Sequence, residues 1–171
     1  MGRVIGRITY TPGCSGAGGF SLVEMMVVIA ILSILAAVTL PYAEITVQRN
    51  KELELRRDLR EMRGAIDRVH DDWLAGTLPK TSWNVSTEGY PKTLDALTEG
   101  IRQDPMKAGL KYLRRIPENP FGDKDLSPAK QWALRGYADS PGSFRWNSVD
   151  VYDVYCPGDG KALDGSSYHD W

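Results

Sequence analysis

One stretch constrains this chain more than any other. Phe20 to Leu40 reads FSLVEMMVVIAILSILAAVTL, 21 residues with one charged side chain, Glu24. As a helix it spans roughly 31 Å, the thickness of one hydrocarbon core. A secretory signal fits poorly. Its apolar region runs about 7–15 residues and leads to a small-x-small cleavage site. Here the run is longer, and Pro41-Tyr42-Ala43 follows it. A plain membrane anchor matches the length but leaves Glu24 unexplained. A carboxylate inside a span is costly, and it points to function.

Composition then excludes several classes. The chain has 171 residues, 21 Lys plus Arg against 22 Asp plus Glu, and a formal net charge of -1. That balance argues against a nucleic-acid partner. Two cysteines exclude a disulfide-dense scaffold and a four-cysteine zinc site, and two histidines leave little for metal chemistry. Residues 1–19 are small and polar, with Arg3 and Arg7 the only charges. Residues 44–73 carry 15 charges in 30 positions, with one Gly and no Pro. Within them Leu55, Leu59, Met62, Ile66, Val69 and Trp73 recur at helical spacing and predict an amphipathic helix with one apolar stripe. The charges read as a solvated face, with Glu52–Arg56 an attractive pair one turn apart. One helix is expected from about residue 21 to 75. Pro41 should kink it, and Ala75-Gly76 with Pro79 beyond should end it.

Residues 76–171 hold 8 of the 10 Pro and 10 of the 17 Gly. Lys92 to Ile101 predicts a short helix burying Leu94, Leu97 and Ile101. Ser143–Trp146 and Val149–Tyr155 predict strands, joined by a turn at Asn147-Ser148. The expected class is α+β: a long N-terminal helix packed on a small antiparallel sheet of two to four strands, with a C-terminal loop region.

Gly18-Gly19-Phe20-Ser21-Leu22-Val23-Glu24 resembles the processing site of type IV pilin-like proteins. The resemblance implies that a prepilin peptidase cuts after Gly19 and methylates the new amine of Phe20. It implies three parts: a leader at 1–19, an apolar helix at 20–42 that serves as membrane anchor and filament core, and an amphipathic half plus globular head at 43–171. Pro41 stands where the family usually carries proline. Tyr90-Pro91, Leu94 and Ala96-Leu97, then Tyr112 to Gly122, Tyr152-Asp153-Val154-Tyr155 and Gly158-Asp159-Gly160, are similar to the major pseudopilins of type II secretion. Asn119 and Phe121 replace an aspartate and a tryptophan of that pattern.

The implied function is a structural subunit of a periplasmic pseudopilus, with a surface type IV pilus as the alternative. The implied partners are copies of itself, minor pseudopilins, the prepilin peptidase and an inner-membrane assembly platform. The implied location is the inner membrane, single-pass with a periplasmic head, and then a periplasmic filament. Within such a filament Glu24 of one copy neutralises the Phe20 amine of a neighbour, a pair that fixes axial register.

An anchored enzyme is the remaining class, and no catalytic constellation emerges. His70 and His169 read as surface residues, and Ser15 or Ser21 with a distant His makes no triad. Cys14 leaves with the leader, so Cys156 is the mature chain's single thiol and reads as a small core residue. The tail offers one metal candidate. Asp159 and Asp164, with Asp170 less certain, are hard oxygen donors among glycines, which suits Ca²⁺. Asp-Gly pairs equally make ordinary turns. The resemblance implies a calcium loop, with Asp159 and Asp164 as ligands.

Overall fold

A computed structural model describes residues 19–102 and 109–171, with the side chains of residues 38–41 outside the description. Residues 1–18, the body of the expected leader, lie outside it too. The chain forms two compact units, Met1–Tyr42 and Ala43–Trp171.

Helix α1 runs Leu22–Leu74, within a residue of the expected bounds. In the first unit its side chains are apolar all round and exposed, from Leu22 at 75% to Ile34 at 67%. The helix is long and apolar enough to cross a membrane, with a mean hydropathy of 2.5 in its most apolar stretch. Helical backbone continues through Pro41. The side chain that would kink it lies outside the described residues.

In the second unit the predicted stripe becomes the core. Leu55, Met62, Ile66 and Val69 are fully buried, and Leu59 nearly so. They pack with Leu97, Ile101, Trp132, Val151 and Val154 in one cluster. The helix ends as Gly and chain direction require. Gly76 takes a φ of 75°. Its N–H donates to Trp73 C=O at 3.2 Å, and Thr77 N–H donates to Asp72 C=O at 2.9 Å. These two bonds satisfy carbonyls the helix leaves open.

The head laid on this stripe has little regular structure. Helix α2 is one turn, Ala96–Glu99, shorter than the expected 92–101, although Leu94, Leu97 and Ile101 are buried as predicted. Strand β1 is Ala133–Arg135 and β2 is Asp153–Tyr155. They pair antiparallel with Leu134 opposite Val154. The expected pairing is corrected here: Ser143–Trp146 is not a strand, and β2 takes β1 as its partner. Side chains explain why. Asp139 accepts from the N–H groups of Gly136 and Asn147 at 2.7 and 3.2 Å. Ser143 Oγ accepts from Arg145 N–H at 3.1 Å. Such bonds offer the backbone an alternative to a ladder.

Candidate functional site

The first candidate is the junction at the start of α1. Ser21 C=O accepts the first helical bond from Met25 N–H at 3.1 Å, which puts Ser21 in the capping position. Glu24 stands three residues later, in the first turn. Ser-x-x-Glu is a capping-box pattern, a second local signal that the sequence carries at this point. Neither reciprocal bond forms. Among the described residues Glu24 has no hydrogen bond or ion pair, and it is exposed. Gly19 is open, with nothing within 4 Å of where a Cβ would lie. Phe20 is 72% exposed. The junction therefore presents a small residue, an exposed backbone and a carboxylate that no described residue engages.

The second candidate is the C-terminal loop. Asp159 is exposed and has no partner among the described residues. Asp164 Oδ1 accepts from Ser166 N–H at 2.9 Å and Ser166 Oγ at 2.6 Å, and Arg56 reaches Oδ2 at 3.4 Å. The Ser166 hydroxyl, ahead of the guanidinium, holds the Asp164 carboxyl below its ordinary range. The nearby carbonyls are also taken. Gly160 C=O accepts from Tyr168 N–H, and Ala162 C=O from Gly165 N–H. Lys161 C=O accepts from Gln48. Among the described residues no three acidic, His or Cys side chains gather as a metal site. In this arrangement Asp164 is held by Ser166 and Arg56, while Asp159 stays exposed.

What holds the loop is a face of α1. Glu52 Oε1 accepts from Leu163 N–H at 2.9 Å and from the Tyr168 hydroxyl at 3.1 Å. Arg56 lies 3.9 Å from the Trp171 ring centroid. Arg63 donates to Asp153 at 2.7 Å and to the carbonyls of Val154 and Trp171 at 3.0 and 2.6 Å. The reading of these charges as a solvated face is corrected at Glu52, Arg56 and Arg63. Glu52 and Arg56 turn to the loop and not to each other. Their turn-by-turn spacing with Gln48 was the available signal.

The remaining candidates stay apart. His70 is half-buried and not a surface residue. It stacks on Tyr90 at 4.4 Å and on Trp73 at 6.1 Å. His169 pairs with Ser167 and Asp170 inside the loop. Cys156 is 1% exposed, as expected of a core thiol. Burial pushes its pKa up, against a hydrogen bond from Asn119.

Residues 14–40 match the family described as the prokaryotic N-terminal methylation motif. The chain is 28% identical over 141 residues to the type II secretion system core protein G of Klebsiella pneumoniae, covering 78% of this chain and 91% of that protein. No solved structure matches the chain. With that motif at the head of a long apolar helix, and a small antiparallel sheet packed on its amphipathic half, the chain has the type IV pilin-like α+β fold and is a homologue of the major pseudopilin, core protein G.

Proposed function

We propose that the chain is a structural subunit of a type II secretion pseudopilus, matured at Gly19-Phe20 and assembled through residues 20–42. The observation that carries this is Glu24, exposed and, among the described residues, unpaired on a stretch of helix that is otherwise apolar all round. In lipid such a carboxylate is a cost. In a bundle of copies it meets the Phe20 amine of a neighbour, and the pair is far better than either charge alone. A surface pilus would use the same signal. The likeness to core protein G extends beyond it, over 78% of the chain, and favours secretion.

The subunit waits in the inner membrane with its head in the periplasm, is cut and methylated by the peptidase, and is then drawn by the assembly platform into a filament with copies of itself and minor pseudopilins. It does no chemistry of its own. N-terminal mass analysis should find methylated Phe20. A start at Met1, or beyond residue 40, overturns the maturation step. Glu24→Ala should insert normally yet lose filament formation and secretion.

Calcium belongs to the proposal as a second arrangement of the loop, in which Asp164 leaves Arg56 and turns toward Asp159. If so, the chain melts higher with millimolar Ca²⁺ than with chelator, and Asp159→Ala erases the difference. An unchanged melting temperature leaves the loop to Glu52, Arg56 and Arg63.

A further inference from the structure

Aromatic rings of the head form a run of stacked pairs: Trp73 with His70, His70 with Tyr90, and Tyr90 with Tyr137 at 5.4 Å. Tyr152 meets Tyr90 and Tyr137 edge-on, at 5.2 and 5.6 Å. Backbone bonds fix the outer members. Tyr137 N–H donates to Asp150 Oδ1 at 2.9 Å, and Tyr152 N–H to Arg135 C=O at 2.8 Å. Tyr90 is buried, but Tyr137 is 54% and Tyr152 45% exposed. The run carries a cation at its Trp73 end, where Lys80 Nζ lies 5.1 Å from the ring centroid. Arg56 and Arg135 likewise sit on Trp171 and Tyr155. Among the described residues no cation sits on Tyr137 or Tyr152. Negative charge surrounds them. Asp150 is buried under Tyr137. Asp67 is exposed and, among the described residues, has no hydrogen bond or ion pair. Burial, then Tyr152 and Tyr137, then Asp67 and Asp150 push the Tyr90 hydroxyl's pKa up, so both carboxylates act on this cluster. Arg63, one turn before Asp67, and Arg135, two residues before Tyr137, are both held by Asp153.

We propose that Tyr137 and Tyr152, backed by Asp67 and Asp150, form a site for an arginine side chain of a partner protein. The face of a tyrosine ring attracts a cation through its quadrupole. A planar guanidinium also stacks on the ring, and it donates in-plane to a carboxylate, so it uses both parts of the site at once. A neutral sugar would stack on the same rings, but two carboxylates without a counterion favour a cation. The rings are held by their backbone bonds and by one another, so little ordering is left for the partner to drive. The site lies wholly on the head and does not depend on the filament reading.

The test titrates the detergent-solubilised full chain into a fluorescein-labelled tri-arginine peptide and follows anisotropy. Tyr137→Ala should weaken binding about fivefold, and Asp67→Asn about threefold. Tyr137→Phe keeps the ring and should bind as the parent does. Asp67 is exposed and, among the described residues, unpaired, so its variant tests the site even where a tyrosine variant misfolds. Asp125→Asn removes the same charge elsewhere on the head and should leave binding unchanged. An equal loss in Asp125→Asn would mean that the peptide reads net charge alone, and overturns the site. Unchanged binding in both Tyr137→Ala and Asp67→Asn overturns it too. Displacement of the peptide by cellotetraose would make the rings a sugar platform instead. A change of oligomeric state in Tyr137→Ala, seen by sedimentation, would assign the face to a second copy and equally overturn the proposal.

Discussion

Asp58 has a consequence within a single subunit. Its carboxyl is raised from 3.8 to about 6, chiefly by burial and then by Glu54 and Glu61. Between those values the folded state holds a proton the unfolded state has released. Stability therefore falls as pH rises through that window, and the penalty is fully present above it. Much of the group meets solvent, so the effect is on the order of 1 kcal/mol or less. Asp58→Asn should raise the melting temperature at pH 7.5 by a few degrees and do nothing at pH 4. A lowered melting temperature at pH 7.5 would show that the carboxylate is favourably paired after all. The opposite logic governs Arg63, which joins Asp153 to the carbonyls of Val154 and Trp171.

At the scale of elements, α1 was legible and the sheet was not. The stripe from Leu55 to Trp73 repeats over five helical turns, and the structure buries it as the spacing requires. Leu59→Ala should cost about 2–5 kcal/mol in a chemical denaturation of the detergent-solubilised chain. A loss below about 1 kcal/mol would mean the stripe is not the core.

Strand β1, by contrast, is Ala-Leu-Arg, three half-buried residues with no alternation to read. Its place is set by β2, 18 or more residues away, and no local pattern announces that. Ser143–Trp146 carries aromatic content without a ladder, because the Ser143 hydroxyl takes the backbone N–H and C=O of Arg145 and the Ser140 carbonyl takes the N–H of Ser143. The N-terminal site was legible because it is a short contiguous motif. The helix face that grips the loop was not, since each of its charges looked like ordinary solvated surface until its distant partner was known.

At the scale of the molecule, the bonds between α1 and the C-terminal loop join residues far apart in sequence. Gln48 reaches Tyr168 across 120 positions, Glu52 reaches Tyr168 across 116 and Arg63 reaches Trp171 across 108. Long loops must close before such contacts repay their entropy, so they form late. During synthesis the apolar half of α1 emerges first and can enter the bilayer while the stripe on its other half still has no cover. On the proposed membrane anchoring, insertion precedes folding of the head, and for that interval the exposed stripe is a target for proteases. A chain terminated after Asp150 freezes this interval. It lacks β2, Val154 and the whole loop that Gln48, Glu52, Arg56 and Arg63 hold. In a pulse-chase it should insert as fast as the full chain and disappear several times faster. Equal lifetimes would mean that the head closes over the helix without its last turns, and that order of synthesis leaves no mark on how this subunit is made.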